Sequence, residues 1–319
     1  MQHILTAQGI AQLVERAVLQ LACELRPDVL LGLEAACAQA SSERERGIIQ
    51  QLIDNARIAA AKRLPLCQDT GYVWVLLEVG QRDSQGQGIA VASDIFSQVD
   101  AAVARAYQRG ALRMSLVHDA LVDRSNTADN TPALCELQLN PQITGATLHI
   151  MLKGGGSDNA SCVAMLPPGA GMAGIKQTVI RAVADKGANA CPPLVIGVGV
   201  GGSFDKVAGM AKRALLRPVG QANAQPRLAA LERELLAAIN RLGIGAGGFG
   251  GSATALAVHV LTAPSHIAAL PVAVNMGCSA MRSISIDLEA QLSASLEAQL
   301  PTAPAVQLSV SPEGEVPTT

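Results

Sequence analysis

The sequence predicts a mixed α/β domain with covered sheets and a helical N-terminal region. Three observations carry this. Apolar residues recur at helical spacing through the first sixty positions. Helix-like and strand-like segments alternate after that. Several strand-like runs, among them 194–200, are apolar on both faces, as strands buried between two layers are. The composition agrees. Hydrophobic residues make up 49% of the 319 positions and charged residues 16%, which excludes disorder and points to a dense interior or a large covered interface.

Taken in order, residues 8–24, 27–39 and 43–63 read as helices, with Ile48, Ile49, Leu52, Ile53, Ile58 and Ala59 setting the period of the third. Pro27 suits the first turn of the second helix. Ser41 and Ser42, followed by Glu43 and Glu45, suit a cap for the third. A strand follows over 72–79, then a Gly- and Gln-rich loop over 80–90, then a helix over 93–109 capped by Ser93 or Asp94. Strands are expected at 116–122, 134–139 and 146–152, with a polar loop over 123–130. A helix over 170–187 leads to a strand over 194–200, and Ser203 opens a helix that Arg217-Pro218-Val219-Gly220 stops. Another helix covers 226–242. Six glycines between Gly243 and Gly251 mark a loop. An apolar run over 254–261, a turn at Pro264-Ser265-His266 and a strand over 269–274 complete the pattern. Residues 1–300 are read as one domain and 301–319 as a mobile tail.

Several function classes fall away. The net charge of −2 offers no electrostatic footprint for nucleic acid or an anionic membrane. One Trp, two Tyr and three Phe leave little to stack on bases. No apolar run is long enough for a membrane helix. The opening Met1-Gln2-His3-Ile4-Leu5 lacks the pattern of a signal peptide. Seven Cys in such a chain read as thiols in a reducing compartment, so a cytoplasmic location is expected.

Three of the cysteines lie in turns at the ends of apolar strands. They sit in Leu66-Cys67-Gln68-Asp69-Thr70-Gly71, in Asn189-Ala190-Cys191-Pro192-Pro193 and in Asn275-Met276-Gly277-Cys278-Ser279. No CxxC pair is present, which argues against structural zinc. On spacing alone, these three are either metal ligands or buried free thiols, the state expected of Cys23, Cys37 and Cys135. Gly197-x-Gly199-x-x-Gly202 has the outline of a dinucleotide fingerprint, but no second strand ending in Asp or Glu follows. The other reading is that these glycines let a helix pack close to a strand. Lys153-Gly154-Gly155-Gly156-Ser157 is not a phosphate loop, because its Lys precedes the glycines. Successive glycine N–H groups nevertheless make a nest for a carboxylate.

Five stretches in order, Cys67-Gln68-Asp69-Thr70-Gly71, Lys153-Gly154-Gly155-Gly156-Ser157, Ala190-Cys191-Pro192-Pro193, Leu242-Gly243-Ile244-Gly245 and Gly277-Cys278-Ser279, resemble the markers of class I fumarate hydratases. The same markers, somewhat altered, occur in the α subunit of L(+)-tartrate dehydratase. The resemblance runs from about residue 10 to about residue 290. It implies that Cys67, Cys191 and Cys278 hold a [4Fe–4S] cluster whose fourth iron has no protein ligand. It implies that Gln68 and Asp69 contact substrate, with Asp69 supporting proton transfer. It implies that Arg113 pairs with one substrate carboxylate, that the Gly156 N–H meets the other, and that His266 is an active-site His. His259, in an apolar segment, is read instead as a core His, and Arg282 as a cation that offsets cluster charge.

Single-chain members carry a further domain with a Thr base, an Arg and a Lys. Here a tail follows, so the resemblance is to the α subunit of a two-subunit enzyme, an α2β2 assembly whose β subunit carries that domain. The implied reaction is reversible hydration of fumarate to L-malate. The alternative is conversion of L(+)-tartrate to oxaloacetate. Lys153 and Ser157 look more like the fumarate hydratase version. A nicotinamide oxidoreductase and a non-catalytic regulatory subunit are the rivals. The missing acidic strand end weighs against the first, and the presence of all three Cys with Asp69 weighs against the second.

Overall fold

A computed structural model describes residues 3–289; the expected tail over 301–319 lies outside the described residues. In chain order the elements begin with β1 (His3–Leu5), α1 (Ala7–Cys23), α2 (Pro27–Ala38), α3 (Glu43–Lys62), β2 (Tyr72–Val79), β3 (Ile89–Val91) and α4 (Ile95–Arg109). Then come β4 (Leu134–Leu139), β5 (Ala146–Lys153), α5 (Gly155–Asn159), β6 (Cys162–Leu166) and α6 (Gly171–Lys186). The last are β7 (Leu194–Gly202), α7 (Phe204–Ala214), α8 (Pro226–Asn240), β8 (Ala255–Ser265), β9 (Leu270–Gly277) and β10 (Arg282–Asp287).

The strands form two mixed four-stranded sheets among the described residues, in the orders β10-β5-β2-β4 and β6-β9-β7-β8, and β1 pairs with β3. In each sheet one pair is parallel, β2 with β4 and β7 with β8, and the rest are antiparallel. Both sheets are covered, as the apolar strands require. Val73, Val75, Leu77 and Val79 of β2 pack with Leu148, Ile150 and Leu152 of β5 against α1 and α4. The other face presents Trp74, Leu76 and Met151 toward Val195, Ala257 and Leu215, where the two sheets meet. The outer face of the second sheet packs Ile196, Val198, Val258 and Val274 against α6 and α8.

α7 lies on the inner face of β7, and the glycines of the fingerprint-like stretch explain how. A Cβ built on Gly197 would stand 2.0 Å from the Ala211 carbonyl oxygen, and one on Gly199 would stand 2.4 Å from that of Val207. The helix backbone therefore rests on the strand backbone at those two positions, and the fingerprint is a packing device.

Most helix signals act as read. Ser42 caps α3 by accepting from Glu45 N–H, and Pro27 occupies the first turn of α2. The Glu45 carboxylate is fully buried and takes N–H and O–H donors from Ser41 and the N–H of Ala253, so it ties α3 to the end of the glycine loop. Burial pushes its pKa up, but the donors from Ala253 and Ser41 outweigh that and leave it lowered. Two caps differ from expectation. Asp94 makes no side-chain cap bond to α4. The Ser203 hydroxyl turns to Asp205 rather than to the helix backbone.

The strand expected over 116–122 does not form. Val117 makes a single bridge to Asn126, and the Asp119 carboxylate captures the N–H groups of Leu121 and Val122. A side chain that bonds to nearby backbone offers the chain an alternative to a ladder. The sequence reading also missed β1, β3, β6, β10 and the single turn of α5.

Gly197→Ala should clash with fixed backbone and cost more than the roughly 1–3 kcal/mol typical of overpacking. Gly209, inside α7 with nothing within 4 Å of its Cβ position, makes the contrast. Gly209→Ala should stabilise by about 0.5–1 kcal/mol through helix propensity. Chemical denaturation of both variants measures the difference.

Candidate active site

The site forms where strand ends from both sheets meet. β2 begins and β5 ends side by side, with Tyr72 opposite Lys153. β10 begins beside them, with Arg282 opposite Leu152. In the second sheet β7 begins where β9 ends, with Val195 opposite Gly277. Cys67, Cys191 and Cys278 occupy the turns at these ends.

Each turn is held by named contacts. Leu66 N–H donates to the Ala22 carbonyl at 2.7 Å, and Asn55 Nδ2 donates to the Leu66 carbonyl at 2.8 Å, so α1 and α3 fix the approach to Cys67. Asp69 then stitches two motifs together. Its Oδ1 accepts from Gly71 N–H at 2.9 Å and its Oδ2 from Gly155 N–H at 2.8 Å. Gly71 has φ +78, and a Cβ there would stand 2.6 Å from the Lys153 carbonyl oxygen, so the turn requires glycine. Beneath the turn, the buried Tyr107 hydroxyl donates to the carbonyls of Thr70 and Gly71. Burial pushes the Tyr107 phenol up to about 12, so it stays a donor at neutral pH. Asn130 is wholly buried; its Nδ2 donates to the Gly71 carbonyl, and its Oδ1 accepts from Ser115 and Leu116.

Cys191 sits in the left-handed region at φ 55, just before the cis Pro192-Pro193 bond. Its carbonyl accepts from Ser279 N–H at 3.0 Å, which joins the Cys191 and Cys278 turns, and Gly247 of the glycine loop donates to the Pro192 carbonyl at 2.8 Å. The residue is exposed, yet its thiol pKa is raised, first by partial burial and then by the charges of Cys278, Cys67 and Asp69. These four groups thus share one electrostatic environment.

Lys153 closes the interior. It is 2% exposed, and its Nζ donates to Ser157 Oγ at 2.8 Å and to the Met276 carbonyl at 2.9 Å, with Asp158 Oδ1 at 3.4 Å. Burial pushes its pKa down, while Asp158 and Cys278 pull it up. Lys153 and Ser157 therefore support the glycine loop from behind. Gly155 and Gly156 are left exposed on the outer side.

The expected site residues divide in two groups. Cys67, Gln68, Asp69, Gly156, Cys191 and Cys278 belong to this junction. Arg113 is exposed and lies next to it, because its carbonyl accepts from the Thr70 hydroxyl. His266 does not join them. It is exposed in the turn between β8 and β9, at the opposite end of β9 from Cys278, and eight residues of strand separate the two. That is roughly 25 Å at about 3.3 Å per residue. Within this chain it touches neither the cysteines nor Asp69. His259 is a core His as read: it is 3% exposed, it lies 3.2 Å from the Ala214 carbonyl through Nδ1, and burial pushes its pKa down to about 4. Tyr107 and Asn130 were missed, since no local pattern marks a Tyr or Asn whose partners are distant carbonyls.

Among the described residues, no three His, Cys, Asp or Glu side chains converge around one metal-ion position. The Cys278 and Cys67 thiols each act electrostatically on Cys191. All seven cysteines are free. A separate cleft of ≈ 880 Å³, lined by Lys206, Lys212, Arg213, Asp158 and Asn275 among others, reaches none of the three thiols.

The fold is that of an α/β protein whose two covered mixed sheets bring three cysteine turns together, with the Asp69 carboxylate and the exposed Gly156 beside them. Residues 11–287 match the family model described as fumarate hydratase (Fumerase), so the chain belongs to the fumarate hydratase family and is a hydro-lyase. It is 35% identical over 288 residues to the "Putative L(+)-tartrate dehydratase subunit alpha" of Methanocaldococcus jannaschii, covering 89% of this chain and 99% of that protein. It is 28% identical over 287 residues to the "L(+)-tartrate dehydratase subunit alpha" of Escherichia coli strain K12, covering 89% and 92%.

Asn130→Ala should remove the acceptor of the Ser115 and Leu116 N–H groups and one of the two donors to the Gly71 carbonyl, which Tyr107 still serves. A loss of about 1–3 kcal/mol in unfolding free energy is expected, since each hydrogen bond contributes roughly 0.5–1.5 kcal/mol net. Denaturant titration reads it directly.

Proposed function

We propose that this chain is the α subunit of an iron–sulfur hydro-lyase that interconverts fumarate and L-malate, with a β subunit completing the active site. The observation that carries the reading is the meeting of Cys67, Cys191 and Cys278, from three distant segments, beside Asp69 and the exposed Gly155-Gly156 loop. Cys67, Cys191 and Cys278 would hold a [4Fe–4S] cluster, which would supply Lewis acidity for loss of the substrate hydroxyl.

The chain's own residues do the rest of the work assigned to this subunit. Arg113 pairs with one substrate carboxylate, for which its exposed guanidinium is free of ion pairs among the described residues. The Gly156 N–H meets the other carboxylate. Gln68 contacts the substrate. Asp69, anchored by Gly71 and Gly155, holds a fixed carboxylate where a proton must move. His266 serves catalysis only if it reaches the centre of a neighbouring chain, because its own lies at the far end of the sheet. The base for the C3 proton comes from the β subunit. The names of these relatives, each a subunit alpha, support a β partner, and an α2β2 assembly is the simplest arrangement. Seven free thiols suit a reducing compartment such as the cytoplasm. No helix among the described residues is long and apolar enough to cross a membrane.

L(+)-tartrate dehydration is the second reading, favoured by the relatives' names. Lys153 and Ser157 look more like the fumarate hydratase version of the loop; they are buried and bonded to each other, so they bear on this choice by resemblance and not as substrate contacts. The two substrates differ by one hydroxyl, and an assay separates them.

Cys67→Ser, Cys191→Ser and Cys278→Ser should each lose iron and activity. Cys23→Ser, Cys37→Ser and Cys135→Ser should keep both. Iron analysis and a visible spectrum on anaerobically purified protein test this, and full iron in any of the first three removes that residue from the ligand set.

The α chain alone should be inactive and should gain activity when co-expressed with a β subunit carrying the second domain. Assay of the complex with fumarate, L-malate and L(+)-tartrate ranks the substrates. Turnover at a normal rate by the isolated α chain would defeat the two-subunit reading.

A further inference from the structure

Buried charges in this chain mostly have a partner. Arg26 pairs with Asp28 and Glu232 with Arg217, while Glu45 collects several N–H and O–H donors. Arg282 is the exception. It is 1% exposed and forms no ion pair among the described residues. Its Nη2 donates to the Asp69 carbonyl at 2.8 Å, and its buried Nε and Nη1 find no hydrogen-bond partner. Lys153 lies on the neighbouring strand, one position past the residue opposite Arg282, and it too is buried. Its one carboxylate partner, Asp158 at 3.4 Å, is 36% exposed and also accepts from the Tyr72 hydroxyl. Two buried cations with so little opposing charge are costly unless an anion compensates them. Both lie at the cysteine junction. Arg282 follows Cys278 by four residues and holds the Asp69 turn, and the Lys153 ammonium is bonded to the Met276 carbonyl two residues before Cys278.

We infer that Arg282 and Lys153 form a cationic floor beneath the three thiols, balanced by the anionic group those thiols hold, and that together they set its charge and reduction potential. Arg282 is at the same time a positioning residue for Asp69, through the Asp69 carbonyl. The inference rests on the reading that Cys67, Cys191 and Cys278 hold a cluster. A reduced cluster carries one more negative charge than an oxidised one, so a fixed cation nearby favours reduction. Removing that cation should lower the midpoint potential.

The test uses the anaerobically purified αβ complex, with iron content, a visible spectrum and a mediated reductive titration followed by electron paramagnetic resonance. Arg282→Gln and Lys153→Gln should each change the reduced-to-oxidised ratio at a fixed poise by roughly tenfold toward oxidised, which is about 59 mV for one electron. Arg282→Lys keeps the charge and should stay near the wild-type potential. Lys206→Gln, an exposed control paired with Asp205, should not shift it. Neutral variants that keep their iron and the wild-type potential overturn the inference. If a neutral variant loses its iron while circular dichroism shows it folded, iron retained in Arg282→Lys supports a role for charge. Iron lost in Arg282→Lys as well means that shape alone matters, and the inference fails. Should Arg282→Gln not fold, Lys153→Gln decides by the same reading. An iron-free wild-type complex overturns the cluster reading and this inference together, whereas an iron-loaded wild type with unshifted variants overturns this inference alone.

Discussion

The arrangement depends on one carboxylate. Asp69 accepts from Gly71 within its own turn and from Gly155 across the junction. It thereby locks the Cys67 turn to the end of β5. Hydrogen bonds to an ionised acceptor are about twice as strong as neutral ones. Without this bridge, the start of β2 and the glycine loop after β5 would be joined by the ladder between Tyr72 and Lys153 and by the Tyr72 hydroxyl donating to Asp158. With it, a cysteine, a carboxylate and the exposed Gly156 are held in one frame, which Arg282 and Lys153 brace from the interior.

A second constraint is close approach. The two sheets deliver their strand ends to one place only because the layers between them are thin. Gly197 and Gly199 let α7 rest directly on β7, and Val195, Ala257 and Leu215 fill the seam with Trp74 and Leu76. Packing at interior density transmits such positions over long distances. The turn before Leu194 and the turn after Gly277 are therefore set by contacts several residues away, in the body of the sheet.

The junction is also unfinished in chemical terms. It offers the Asp69 carboxylate, the exposed Gly156 and three thiols, with Arg282 and Lys153 buried beside them, while His266 stands at the other end of the sheet. An enzyme of this family needs both a group to hold the leaving hydroxyl and a group to take the proton. Under the proposed reading these two tasks are divided between two chains.

Much of this was legible in the sequence, and the part that was not has a common cause. Helical period, the Ser42 cap, Pro27 and the turns around Cys67, Cys191 and Cys278 act within a few residues, so the chain states them locally. The same holds for Gly71, whose turn geometry excludes a side chain. The strand expected over 116–122 failed because Asp119 competes for backbone N–H groups, a contest that apolar pattern does not display. β10 escaped notice because its Arg-Ser-Ile-Ser alternation gains meaning only beside β5. Tyr107 and Asn130 look like ordinary surface-capable residues in one dimension. Only the tertiary structure decides that they are buried under the Asp69 turn, that His266 is remote from the cysteines, and that two cations are enclosed with too few anions. Burial and charge balance are sums over neighbours distant in the chain, and the fold alone selects those neighbours.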